Sequence, residues 1–137
     1  MEKFLGWQAS IVNEYRREDQ FITHNLDFEW RGYSYGVQPD VDHFRTARCL
    51  TVAGTDIYHP TQDKLTGAEI AFGGDMTRSL KGENYLVLET EAQGFPGWMP
   101  YKGQLRLQAY SHIASGANSV MYWHCLLYTS PSPRDCS

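Results

Sequence analysis

Glu89 and Trp98 are the residues of this chain whose types and spacing most clearly suggest chemistry. They lie in residues 84–98, NYLVLETEAQGFPGW, where the carboxylate follows the apolar run Tyr85-Leu86-Val87-Leu88 and the indole comes nine residues later. A carboxylate of this kind can act at an anomeric carbon, and a flat indole can cover the apolar face of a sugar ring. Four apolar residues bounded by polar ones predict a strand over 85–88, buried on both faces as in a parallel sheet. Glu89 would then stand just past the carboxyl end, where such sheets place their active-site crevices. Glu91, two residues on, competes for the role and would point past the rim. A strand-terminal glutamate that is merely solvated fits the same stretch, so this segment alone leaves both readings open.

Histidines form the second candidate set. His24, His59 and His124 fall at expected strand ends, and His112 and Asp63 complete a possible metal group. No HxH or HExxH spacing is present, and His112 falls in a helical pattern. Hydrogen bonding to sugar hydroxyls accounts for strand-end histidines equally well, so neither a metal nor another cofactor is expected. Trp30, Tyr33 and Tyr35 would either line a sugar subsite or pack within their loop.

Regular alternation of periods supplies the elements that must position these groups. Phe4, Leu5, Trp7, Ile11, Val12 and Tyr15 recur at helical spacing and predict a helix over 2–18. A short strand over 21–23 ends at His24-Asn25. A second helix opens at Pro39-Asp40, carries Val41, Phe44 and Leu50, and closes at Gly54. The next strand, 56–58, ends at His59-Pro60. Thr66 and Glu69 have capping-box spacing and start a third helix that buries Ile70, Met76 and Leu80. Its Gly73-Gly74 pair costs about 1 kcal/mol per glycine against alanine, for which close packing is the one available account. A fourth helix over 103–115 turns Leu105, Ala109 and Ile113 inward and stops at Gly116. The last strand covers 120–123.

The order is therefore αβαβαβαβ, which implies right-handed crossovers and a parallel sheet, either a (β/α)8 barrel or a doubly wound fold. No GxGxxG or phosphate-cradling loop follows a strand, so nucleotide binding has no support. Polar and aromatic groups converge at four strand ends, which is the barrel pattern, and four units make half of one.

Composition narrows the class further. The 137 residues are 42% hydrophobic and 14% aromatic, enough for one packed domain, and the net charge is −4. The sequence pI of about 5.7 argues against a nucleic-acid or anionic-membrane partner. No run of about 18 apolar residues offers a membrane span, and no signal peptide opens the chain, so a cytoplasmic protein is expected. Cys49, Cys125 and Cys136 form no CxxC pair or disulfide framework. Cys49 reads as a small buried hydrophobe. Residues 125–135, CLLYTSPSPRD, read as a one-frame translation of a transposase sequencing adapter. The native segment is accordingly expected over 1–124, with a disordered, non-native tail over 125–137 and further parent sequence upstream.

The segments FITHN, DIYHPTQD, TGAEIAF, YLVLETEAQ, QLRLQAYSHIASGAN and VMYWH occur in the order of strands five to eight of a known family. Across about residues 4–124 the chain resembles the second half of the catalytic barrel of glycoside hydrolase family 42 beta-galactosidases. The resemblance implies a partial (β/α)8 TIM barrel and a retaining hydrolase of terminal beta-D-galactosides. It makes Glu89 the nucleophile and places Asn25, Tyr58, His59, Trp98, Trp123 and His124 against substrate. It also implies an oligomeric parent enzyme. The family's general acid/base is a glutamate after an asparagine at the end of strand four. Asn13-Glu14 has that dipeptide but falls inside the first helix, so Glu14 is read as a solvated helix residue and the acid/base as lying upstream. A metal-dependent barrel hydrolase and a non-catalytic carbohydrate-binding barrel are the alternatives.

Overall fold

The computed structural model describes residues 1–28, 41–58, 66–91 and 100–123. In chain order the elements are α1 (Glu2–Tyr15), β1 (Asn25–Asp27), α2 (His43–Thr46) followed by a 3-10 turn (Ala47–Cys49), and β2 (Gly54–Asp56). Then come α3 (Ala68–Lys81), β3 (Tyr85–Glu91), α4 (Gln104–Ala114) and β4 (Ala117–Trp123). All four strands are parallel and lie in the order β1-β2-β3-β4, so each strand neighbours the next one in sequence. A helical connection between parallel neighbours is the βαβ unit that the alternating periods imply.

Several element positions differ from the sequence expectation: among them, α1 ends at Tyr15 instead of 18 and β4 begins at Ala117 instead of 120. Residues 21–23 are not a strand; β1 begins at Asn25, which therefore opens the strand instead of ending it. Gly54 starts β2 and does not close a helix, and the strand ends at Asp56, two residues before Tyr58. The second helix is one turn from His43 to Thr46, begun by the Asp42 carboxylate, which accepts from the Arg45 amide at 3.0 Å. Both strands are three residues long, too short to display a period. The next difference is in β3, which runs through Glu91, so Glu89 lies within the strand. In α4 the buried residues are Gln104, Gln108 and His112, while Leu105 and Ala109 are half-buried and Ile113 is exposed. Its Tyr122 neighbour donates a hydroxyl to the Leu105 carbonyl at 3.0 Å, tying β4 to the helix.

Helix α3 sits as expected. Thr66 Oγ1 accepts from the Ala68 amide at 3.2 Å and lies 3.3 Å from the Glu69 carboxylate, although Gly67 is the residue at the cap itself. Gly82, at φ +72, ends the helix in the left-handed conformation, and its amide returns to the Arg78 carbonyl at 2.8 Å. Under α3 the core consists of Ala53, Ile57, Ile70, Tyr85, Val87 and Ala117, packed by Leu80 and Val120. A second cluster, Leu26, Phe28, Ala47 and Leu50, meets Ile22, Cys49, Met76 and the same Leu80. Cys49 is only half-buried, and its thiol donates to the Thr46 carbonyl at 3.3 Å.

The glycine pair of α3 is explained by these contacts. A Cβ on Gly73 would come within 2.9 Å of the Ile57 side chain, and one on Gly74 would meet the Tyr85 hydroxyl and stand 2.8 Å from Ser115 Cβ. The helix approaches β2 and β3 more closely than alanine permits. Gly74→Ala should therefore destabilise the fold by about 1–3 kcal/mol through overpacking, despite the helix propensity gained. Denaturant unfolding of a full-length protein carrying this segment checks it; a stabilised variant would show that the approach is not limiting.

Helix α1 keeps only Leu5 and Ala9 buried. Phe4 and Trp7 are 55% and 58% exposed with their rings 5.9 Å apart, and Ile11, Val12 and Tyr15 are exposed as well. The helical spacing is real, yet no described residue covers that face. Glu14 lies exposed within α1, as its dipeptide context suggested.

Candidate active site

Tyr85 and Val87 alternate on β3 and point into the core beneath α3. Strict alternation would send Glu89 the same way, into the helix layer. A bulge prevents that. Along β2, Thr55 faces Val87 but Asp56 faces Glu89, so Leu88 is passed over. Along β4, Val120 faces Val87 and Tyr122 faces Thr90, which again gives β3 one extra residue in the same place. Such a bulge re-aims the residues that follow it. Glu89 and Glu91 thereby turn to the face opposite α3, while Thr90 is fully buried on the helix side. Gly54 makes room for the extra residue, since a Cβ there would lie 2.5 Å from Leu88 Cδ1 and 3.0 Å from the His24 carbonyl.

On that face β1, β2 and β3 bring four polar side chains together. The Tyr58 hydroxyl donates to Glu89 Oε1. Asp56 lies opposite Glu89 on the neighbouring strand, and Asn25 Nδ2 donates to Asp56 Oδ1 at 2.7 Å. Burial, and then the hydrogen bond and charge of Glu89, push the Tyr58 hydroxyl far above the ordinary tyrosine range, so it stays a neutral donor. Burial first, and the Glu89 charge second, push the Asp56 carboxyl up to about 7, with a smaller push from Asp27 and an opposing pull from the Asn25 hydrogen bond. Two carboxylates sharing one site cannot both ionise freely, and here Asp56 is the one that yields.

The expected site residues are distributed as follows. Glu89, Asn25 and Tyr58 are brought into one hydrogen-bonded group with Asp56. Trp123 ends β4 opposite Glu91 and is more than half exposed. His59, Trp98 and His124 lie outside the described residues, as do Trp30, Tyr33, Tyr35 and Asp63. Glu91 does not point past the rim: it is the last residue of β3 and only 4% exposed. Of the remaining histidines, His24 is held below its ordinary range by burial, and His112 is buried in α4. Among the described residues no three acidic, histidine or cysteine side chains form a metal-binding group. No described helix is long and apolar enough to cross a membrane.

Asp56 was not singled out by sequence reasoning. Its signal would have been the acidic residue opening the short DIY segment, but its meaning depends on which residue of β3 stands opposite, and the bulge decides that.

Comparison with known proteins bears on the family and the fold. Residues 1–130 match the profile of glycoside hydrolase family 42, described as beta-galactosidase. A beta-galactosidase from an Arthrobacter species is 28% identical over 88 residues, covering 61% of this chain and 13% of that protein. The beta-galactosidase BgaH of Haloferax lucentense is 28% identical over 134 residues, covering 84% of this chain and 19% of its own length. The polyextremophilic beta-galactosidase of the Antarctic haloarchaeon Halorubrum lacusprofundi superposes with a TM-score of 0.71 at 21% identity, over 89% of this chain and 20% of that one. The beta-galactosidase of Bacillus circulans sp. alkalophilus gives 0.70 at 22% identity, over 96% and 18%. The chain thus spans at most a fifth of the length of these proteins. Their shared fold makes the four-stranded parallel sheet part of a (β/α)8 barrel.

Proposed function

The chain belongs to glycoside hydrolase family 42, and from that membership we propose that it is a segment of a retaining beta-galactosidase in which Glu89 is the nucleophile. The observation that carries this reading is the bulge in β3, which lifts Glu89 out of the helix layer and sets it under the Tyr58 hydroxyl. With Oε1 held by that donor, Oε2 is free to approach an anomeric carbon. Attack forms a glycosyl ester, and a water molecule then resolves it with overall retention.

Retention requires a second carboxyl group about 5–5.5 Å from the first to protonate the leaving oxygen. Asp56 is not that group: it lies beside Glu89 on the sheet, with one oxygen already taken by Asn25. The acid/base belongs to strand four of the barrel, outside this segment, and residues 1–124 supply strands five to eight. Trp98 would cover the sugar ring, while His59, Trp123 and His124 would contact its hydroxyls. No cofactor enters the mechanism, and the complete enzyme would work as a homo-oligomer.

The test is the stereochemistry of the first product. A full-length protein carrying this segment should release the beta anomer of galactose from a beta-galactoside, followed by proton NMR before mutarotation, and a chelator should not slow it. An alpha first product, or activity lost with the chelator, would overturn the reading.

A further inference from the structure

Asp56 is the one group of the site that neither the retaining mechanism nor the substrate contacts employ, and it rests on the reading of Glu89 as nucleophile. Among the described residues its polar neighbours are Asn25 and Asp27 from β1, Glu89 from β3, and Tyr58 two residues farther along its own segment. Glu91 acts on Tyr58 in turn. Three of these five are carboxylates, so the charge state of Asp56 is tied to theirs, and most directly to that of the residue opposite it.

We propose that Asp56 is a positioning residue that holds a proton beside the free Glu89 carboxylate and releases it when Glu89 becomes a glycosyl ester. The strand pair then keeps part of its negative charge through the whole cycle. In the first step a Glu89 oxygen bonds to the anomeric carbon, the bond to the leaving group breaks with its electron pair, and Glu89 becomes a neutral ester. The charge that helped to keep the proton on Asp56 is gone, and a fraction of the proton passes to water. In the second step water attacks the anomeric carbon, the ester bond breaks, Glu89 is again a carboxylate, and Asp56 takes a proton back. Burial, the larger cause of the high Asp56 value, persists in both states, so the release is a fraction of a proton and is largest near pH 7. The remaining charge on Asp56 faces the covalent intermediate at the point where Glu89 no longer can, which favours the positive character that returns at the anomeric carbon in the second step.

The test uses a full-length enzyme and a fluorosugar inactivator with fluoride as leaving group, because fluoride leaves without a proton; the acid/base also responds to the lost Glu89 charge, so the difference between proteins is what is read. Proton release per labelled site is followed with an indicator dye between pH 6 and 8, and the labelled residue is identified by peptide mass spectrometry. Wild type should release more than Asp56→Asn by a fraction of a proton, and Asp56→Glu should restore the difference. Should Asp56→Asn not fold, infrared difference spectra of a variant whose strand-four acid/base glutamate is replaced by glutamine still decide: a deuterium-sensitive carboxylic-acid carbonyl band should be lost on trapping there too. Label on Glu89 with equal release in both proteins, or with no lost band, would overturn the role of Asp56 alone. Label on another residue would overturn the nucleophile assignment, and the role of Asp56 with it.

Discussion

Glu89→Gln in a full-length enzyme carrying this segment should lower kcat by roughly 10⁴–10⁶-fold, the scale on which loss of a covalent nucleophile is felt. The substitution keeps the volume of the side chain and an acceptor for the Tyr58 hydroxyl, so the thermal midpoint should move little. Removing the side chain is a different experiment. In Glu89→Gly the site is open, added azide can reach the anomeric carbon from the same side, and a galactosyl azide of inverted configuration should form. Azide rescue therefore reports the face of attack as well as the residue. Activity near wild type in Glu89→Gln would sink the assignment. Loss confined to Glu91→Gln would move it to the end of β3, where Glu91 shares the face with Glu89.

Expressed alone, residues 1–124 should give no measurable turnover of a chromogenic galactoside. General-acid assistance to the leaving group is worth about 10²–10⁴-fold, and the segment's Asn13-Glu14 is an exposed pair within helix α1. The fold adds a second handicap. Strands β1 and β4 each pair on one side only among the described residues. The aromatic face of α1, with Phe4, Trp7 and Tyr15, and the side chains of Leu107, Tyr110 and Ile113 on α4 are exposed. Open strand edges and apolar patches of this kind favour self-association. Sedimentation should show aggregates or oligomers. A soluble monomer that unfolds cooperatively and turns over substrate would refute the half-barrel assignment.

Sequence patterning recovered the elements to different degrees, and the reasons are local. Helix α3 was legible because Thr66 and Glu69 mark its start and Ile70 and Leu80 its buried side. The strands β1 and β2 were misplaced by two to four residues, since three-residue strands carry no period and their limits are set by pairing with β3. In α4 the apolar residues Leu105, Leu107, Ala109, Tyr110 and Ile113 ring the helix, so the sequence offers no unique inner face. Packing selects the polar stripe Gln104, Gln108 and His112, four residues apart, and Gln104 Oε1 is held by the Tyr101 amide at 3.0 Å. Glu89 was found from its flanking residues, but the reason it faces outward was not. A strand ending at residue 88 was expected to free it, whereas the strand continues and an extra residue turns it.

That extra residue also separates two kinds of genetic change. A substitution at Leu88 alters what packs over Gly54 and leaves the order of faces intact. Loss of a single codon there would restore strict alternation, carry the carboxylate of Glu89 into the layer beneath α3, and bring Thr90 out in its place. In this stretch of the gene, length is under tighter constraint than identity. Members of the lineage should differ freely in the apolar letters before the glutamate and seldom in their number.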